Sequence, residues 1–256
     1  MTELVHLQVD SGIATITLDS PDNRNALSAQ LMSEFATHLE SASSNPAVRS
    51  AVVAHTSSTF CAGADLSGTS ESGPSSSGPE RDMAQLAAIL RQMLVCPKPI
   101  LAHIKGHVRG GGLGLVAACD LAVASLQSSF AFSEVRLGVA PAIISLTVLP
   151  RLSSRAASKY FLTGDRFDAA EAERIGLITS ASEDTELVLE QLASSFRSCS
   201  PVGLAETKKL TTRSILQGFD AQETSVTDLS ERLFSAEEAQ EGIAAFKEGR
   251  PPRWAG

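Results

Sequence analysis

The chain has 256 residues, enough to bury a sizeable core as one large domain or as a domain with an appendage, and we expect one main unit. Hydrophobic residues make up 43% of it and charged residues 20%, so disorder is not its default state. Acidic residues outnumber basic ones by 29 to 21, and the net charge of -8 argues against a protein that mainly binds a nucleic-acid backbone.

The first third of the chain predicts a hairpin, a helix and a buried strand. Two β-type segments, 4–10 and 13–19, flank the tight-turn dipeptide Ser11-Gly12. Ser28 can cap a helix with one apolar face that ends near residues 45–46. Residues 51–54 follow as a buried strand.

The middle of the chain alternates strands with helices. The polar segment 67–80 predicts a mobile surface loop, and a helix over 81–95 and a strand over 100–104 come next. After Gly110-Gly111-Gly112, an apolar helix over 113–119 leads into a strand over 121–124. Such alternation predicts an α/β architecture with right-handed crossovers.

From about residue 153 onward, helical patterns dominate. We expect helices over 153–162, 168–175, 184–196, 201–216 and 222–246, the last with a possible break. These helices either fold back on the α/β body or pack against another subunit.

Cysteine usage and known motifs narrow the function. The four cysteines are scattered singly, which predicts reduced thiols, and no apolar run approaches membrane-spanning length, which favours the cytoplasm. The anchors of nucleoside-triphosphate, zinc, dinucleotide and serine-hydrolase sites are absent from the sequence.

Two glycine-containing loops, 62–64 and 110–112, each follow a predicted strand. Their small side chains leave main-chain N–H groups accessible, and the second loop starts a helix whose dipole favours negative charge. Together they predict an oxyanion hole. The alternative is that both are only turns.

Five motifs in order resemble the enoyl-CoA hydratase/isomerase, or crotonase, superfamily. They are residues 23–27 (NRNAL), 60–66 (FCAGADL), 106–112 (GHVRGGG), 132–138 (FSEVRLG) and 246–251 (FKEGRP). The resemblance implies a spiral of ββα turns over residues 1–195, which holds the acyl-CoA site. It also implies a C-terminal helical trimerisation region over 196–256, in a trimer or a pair of trimers.

The same resemblance implies roles for individual residues. The N–H groups of Ala64 and Gly111 would hold the thioester oxygen of an acyl-CoA substrate, with no metal and no cofactor beyond the substrate's own CoA. The residues expected to contact CoA are Arg24, Ala26, Ala62, Asp65 and Leu66, with Phe246 reaching a neighbour's site. Asp65 is also readable as a helix N-cap.

Catalytic carboxylates decide the reaction. Hydratases of this family use two glutamates, and Glu134 occupies the second position, whereas Gly114 occupies the first. Glu134 is the expected general acid/base if burial raises its pKa; the alternative is a surface acid paired with Arg136.

Three further side chains near the second glycine loop also carry alternatives. His103 and His107 are either proton carriers or structural histidines, and Arg109 is either an anion partner or a solvated arginine. None of the three is assigned to the site.

These observations favour an enoyl-CoA hydratase, a carbon–oxygen lyase that adds water to a 2-enoyl-CoA. The stretch 138–145 (GVAPAIIS) resembles hydratases of branched, carboxylated enoyl-CoAs. Two alternatives remain: an enoyl-CoA isomerase, and a weakly active homologue that only binds acyl-CoA. No nucleic acid or membrane partner is expected.

Overall fold

An antiparallel hairpin opens the computed structural model, which describes residues 2–66 and 79–256 but not the side chains of 79–81. Strands β1 (Val5–Asp10) and β2 (Ile13–Leu18) pair from Val5 opposite Leu18 to Asp10 opposite Ile13. Ser11 and Gly12 both have positive φ, as a two-residue turn of this hand requires. The predicted hairpin is confirmed.

Two sheets form the body of the protein. The larger has the order β1-β2-β3-β5-β7-β10, parallel from β2 onward, with β3 (Ser50–His55), β5 (Ile100–Ile104), β7 (Leu121–Ser125) and β10 (Ser180–Ser182). The smaller has the order β4-β6-β8-β9, with β4 (Thr59–Cys61), β6 (His107–Arg109), β8 (Ser129–Ala131) and β9 (Phe167–Asp168). Its first three strands are parallel.

The chain repeats one unit three times: a strand of the larger sheet, a strand of the smaller sheet, then a helix. The helices are α2 (Pro79–Val95) after β4 and α3 (Gly111–Ala118) after β6. In the third repeat a 3₁₀ turn (Glu134–Leu137) precedes α4 (Ala142–Val148). This spiral of ββα turns confirms the predicted α/β fold class.

Helix α1 (Ala29–Ser44) shows why the sequence pattern was informative. Leu31, Phe35 and Leu39 recur every four residues, and all three are buried against the hairpin and α2. Ser28 Oγ accepts a hydrogen bond from the Leu31 N–H at 3.3 Å, which caps the helix as predicted.

The helical second half contains α5 (Ser154–Thr163), α6 (Ala169–Arg174), α7 (Thr185–Arg197), α8 (Pro201–Phe234) and α9 (Glu237–Glu248). The interruption expected between residues 216 and 222 is wrong, because α8 is continuous through it. Ile215 and Phe219 are buried where α8 packs on α2 and α4, and this burial outweighs the low helix propensity of Gly218. The possible break expected within 222–246 is confirmed and lies at residues 235–236, between α8 and α9.

Helix α9 packs closely on the 3₁₀ turn. A Cβ built on Gly242 would lie 2.4 Å from the Leu137 carbonyl oxygen, and one built on Gly138 would lie 2.6 Å from the Glu238 oxygen. Only glycine permits these backbone contacts. The C-terminal region therefore braces the turn that bears Glu134. The division at residues 195 and 196 stays a prediction.

Two further expectations concern the described range itself. Most of the surface loop predicted at 67–80, namely residues 67–78, lies outside the described residues. Residues 79 and 80 belong to the first turn of α2. Over residues 2–66 and 79–256, no helix has the length and apolar character to cross a membrane.

Candidate active site

Three segments that follow the parallel strands β4, β6 and β8 lie side by side. They are residues 62–64, 110–111 and 132–134, one from each ββα turn. The carboxyl ends of neighbouring parallel strands lie at the same edge of a sheet, so the repeat itself brings these segments together.

The first loop is held by the segment at 24–27. The Ala62 N–H donates to the Arg24 oxygen at 3.1 Å, and the Leu27 N–H donates to the Gly63 oxygen at 2.8 Å. Gly63 has φ +92°, and a Cβ built on it would lie 3.2 Å from the Arg109 oxygen. Glycine here permits both the backbone conformation and the close approach of the second loop.

The second loop leads into α3. Gly110 has φ +48° and ψ -124°, a conformation reserved for glycine, and its N–H donates to the Ala131 oxygen at 3.3 Å. A Cβ built on Gly111, the first residue of α3, would lie 2.6 Å from Leu27 Cδ1. Gly111 therefore packs against the Leu27 side chain, which would have to move to admit a side chain at residue 111.

Two main-chain donors, one from each loop, lie near the point where the loops meet. A Cβ built on Gly63 would lie 3.5 Å from the Gly111 nitrogen, so the two glycine loops are in contact. Within the described residues, the N–H groups of Ala64 and Gly111 donate to no acceptor. The Gly111 N–H also lies at the positive end of the α3 dipole. Such a pair of donors can bind an oxyanion.

Glu134 lies beside this point. A Cβ built on Gly110 would lie 3.5 Å from Glu134 Oε1, and Glu134 Oε2 is buried without a hydrogen-bond partner in the described part of the chain. Burial raises the pKa of Glu134 to about 7, opposed only by its own backbone N–H. A carboxyl group with this pKa can both donate and accept a proton near neutral pH.

The alternative of a surface acid paired with Arg136 is wrong. The Arg136 guanidinium donates to Asp165 Oδ1 at 2.6 Å and to the Thr163 oxygen at 3.1 Å. Arg136 therefore points to the loop after α5, and Glu134 points inward.

Gly114 lies inside the buried helix α3. A Cβ built on it would lie 2.6 Å from Ile144 Cγ2 and 3.4 Å from Leu90 Cδ1. Thr147 Oγ1 also donates to the Gly114 oxygen at 3.1 Å. The space for a side chain at residue 114 is filled by α4 and α2, so this core has no room for a carboxylate there.

The residues expected to contact CoA divide into two groups. The structure gathers five around the first loop: the exposed Arg24, the buried Ala26, and the partly buried Ala62, Asp65 and Leu66. Phe246 lies on α9 with 64% of its surface exposed, and its contact with a neighbouring subunit stays a prediction. The helix that Asp65 would cap falls on residues outside the described part.

The three other side chains considered in the sequence, Arg109, His107 and His103, form hydrogen bonds within the fold. Arg109 is half-buried, and its guanidinium donates to the Ser129 oxygen at 2.7 Å and to Ser129 Oγ at 2.8 Å, so these hydrogen bonds hold it on β8. His107 Nδ1 lies 2.9 Å from Ser129 Oγ. His103 Nε2 lies 2.9 Å from Thr185 Oγ1, and burial lowers the His103 pKa to about 4. Both histidines are structural.

Asn25 is a supporting residue that the sequence analysis missed. Its fully buried side chain accepts from the Ser20 N–H at 2.7 Å and donates to the Thr59 oxygen at 2.9 Å. It thereby holds the segment at 24–27 against β4. The sequence does contain a signal for this bend, namely the asparagines on either side of Arg24. Asparagine tolerates positive φ better than most residues, and both Arg24 and Asn25 have positive φ here.

The fold and these loops define the class: an α/β protein of the crotonase fold. A crystal structure of an enoyl-CoA hydratase from Mycobacterium avium superposes with a TM-score of 0.91 at 48% identity, covering 99% of this chain and all of that one. The sequence model of the enoyl-CoA hydratase/isomerase family matches residues 8–256, and the chain belongs to that family.

Two curated relatives align over the whole of both chains at 31% identity. They are a carnitinyl-CoA dehydratase from Proteus mirabilis and a 2,3-dehydroadipyl-CoA hydratase from Escherichia coli. Their names describe additions or removals of water on CoA thioesters.

Proposed function

We propose that the protein hydrates a 2-enoyl-CoA, with Ala64 and Gly111 binding the thioester oxygen and Glu134 transferring the proton. The observation that carries this proposal is the buried Oε2 of Glu134, which has no hydrogen-bond partner among the described residues, beside two N–H groups that donate to no acceptor there. Backbone donors need no reorganisation as the enolate forms, and one such donor is worth about 3 kcal/mol in the transition state.

The reaction uses Glu134 in its protonated form. Water adds to C3, the electron pair of the double bond moves toward C2 and the thioester, and the two N–H groups stabilise the enolate oxygen. Glu134 then gives its proton to C2, and the proton lost by the water oxygen returns the ionised Glu134 to its protonated form, which yields a 3-hydroxyacyl-CoA. Because burial raises the Glu134 pKa to about 7, a large fraction of the enzyme carries this proton near neutral pH.

Substrate binding and assembly follow the family pattern in this proposal. Arg24, Ala26, Ala62, Asp65 and Leu66 bind CoA around the first loop, and Phe246 completes a neighbour's site in a trimer or a pair of trimers. CoA arrives with the substrate, no separate cofactor takes part, and the protein acts in the cytoplasm.

The acyl group is proposed to be branched or carboxylated. The stretch 138–145 supports this through its resemblance to hydratases of such substrates, and the Escherichia coli relative is named for a dicarboxylic acyl group. Carboxylated and plain 2-enoyl-CoAs therefore both belong in the assay.

Double-bond isomerisation is the second candidate, and Gly114 favours it. An isomerase moves one proton between C2 and C4, for which a single carboxyl group suffices, whereas water activation is usually shared between two groups. A chain that only binds acyl-CoA is the third candidate.

The test follows ultraviolet absorbance of the conjugated thioester. We expect 2-enoyl-CoA absorbance to fall with the wild type, to persist with Glu134→Gln, and to fall with Glu40→Gln, which alters an exposed carboxylate on α1. The hydration kcat/KM should decline above pH about 7 as Glu134 loses its proton. A rise in absorbance from 3-enoyl-CoA without hydration would establish the isomerase instead, and binding without either reaction would establish the binding protein.

A further inference from the structure

We propose that Asp82 on α2 is the second catalytic carboxyl group of this site, the general base that takes a proton from the attacking water. This inference rests on the proposed hydration. It assigns to a different helix the carboxylate that Gly114 cannot supply.

The position of Asp82 follows from how α2 lies along α3. Leu90 Cδ1 is 3.4 Å from a Cβ built on Gly114, and Leu86 Cδ2 is 3.4 Å from one built on Gly111. Leu90 and Leu86 are four residues apart on one face of α2, and they contact α3 in the same order along its axis. The two helices therefore run in the same direction at this contact.

Asp82 is the next residue on that face. Four residues of an α-helix rise about 6 Å, so Asp82 lies about one turn beyond Leu86. Leu86 already contacts the first residue of α3, Gly111. Asp82 thus extends past the N-terminus of α3, on the side where the Gly111 N–H is directed.

The surroundings of Asp82 are those of an acid/base group. Its Oδ1 is buried and has no hydrogen-bond partner among the residues that the structure describes, a property it shares with Glu134 Oε2. Burial raises the pKa of Asp82, and the charge of Asp65, next to Ala64, raises it further. A carboxyl group held only for structure would be expected to have its buried oxygen paired.

The step balances with two carboxyl groups. Asp82, ionised, accepts a proton from water while the water oxygen forms its bond to C3. The double-bond electrons move to the enolate, and the protonated Glu134 gives its proton to C2. One proton enters Asp82 and one leaves Glu134, and exchange with solvent restores both groups before the next turnover.

Asp82→Asn tests this assignment, because the amide has the same shape and cannot accept the proton. We expect hydration kcat to fall at least about 100-fold with KM changed less than about threefold. Exchange of the C2 proton of a saturated acyl-CoA with deuterated water should continue, because it needs only Glu134 and the N–H groups. Glu134→Gln should abolish both reactions. Asp10→Asn, at the exposed end of β1, is the matched control.

A second variant separates a chemical from a structural role. Formate added to Asp82→Ala should restore part of the hydration rate, whereas formate cannot restore a folding or packing defect. Hydration by Asp82→Asn within about threefold of wild type, loss of C2 exchange together with hydration, or no recovery with formate would each overturn the assignment. A wild-type protein that exchanges the C2 proton but hydrates none of the 2-enoyl-CoAs would overturn the proposed function, and this inference with it.

Discussion

Glu134→Gln should remove activity, but the variant should become more stable relative to the wild type as pH rises. Burial raises the Glu134 pKa from its ordinary 4.5 to about 7, so the folded state binds this proton more tightly than the unfolded chain does. Wild-type stability therefore falls as pH rises from 4.5 through about 7. The full effect is about 3 kcal/mol, of which about 2.5 kcal/mol develops between pH 5 and pH 8. Glutamine has no proton to lose.

The assay is equilibrium denaturant unfolding of both proteins at pH 5 and pH 8, at one fixed chain concentration. The difference in unfolding free energy, variant minus wild type, should increase by about 2.5 kcal/mol from pH 5 to pH 8. Any pH-independent cost of burying the amide is the same at both pH values and does not affect this increase. Glu40→Gln, an exposed change on α1, should show a pH-independent difference within about 0.5 kcal/mol. A Glu134→Gln difference that is equally flat would refute the claim that Glu134 is desolvated.

Three further predictions concern the scaffold of the site. Gly110→Ala should lower kcat at least about 100-fold, because only glycine readily adopts the backbone conformation of residue 110. The control is Gly218→Ala in α8, where a Cβ meets no atom within 4 Å. This variant should raise the free energy of unfolding by about 0.5–1 kcal/mol without altering kcat. Asn25→Ala should cost about 2–4 kcal/mol in denaturant unfolding, since it leaves two buried main-chain groups unpaired; a cost below 1 kcal/mol would contradict this. Gly114→Ala should be less destabilising in an Ile144→Ala background, and strict additivity in the double-mutant cycle would show that the 2.6 Å approach is absent.

Much of the fold could be predicted because its signals are local. The Ser11-Gly12 turn, the Ser28 cap and the four-residue spacing in α1 each depend on neighbours in the chain, and the structure confirms all three. The error at residues 216–222 has a different origin. Gly218 weakens a helix locally, but Phe219 is buried beneath α2, and that contact joins residues far apart in sequence.

Part of the site could be predicted from the sequence, and part could not. Glu134 and the two glycine loops are recognisable in the sequence, since their residue types determine which backbone and proton-transfer chemistry is available. Arg109 was read as solvated or anion-binding, and only the folded chain shows that it donates to Ser129. Asp82 carries no local signal, because its significance depends on the packing of α2 along α3.

The sequence by itself determined the α/β alternation, the small residues of both loops, the presence of Glu134 and the absence of a carboxylate at residue 114. The tertiary structure decided that the loops meet, that Glu134 is desolvated beside them and that Ile144 fills the space at Gly114. The physical reason is that burial, pKa and free volume depend on every group nearby in space, and most of those groups come from distant parts of the chain.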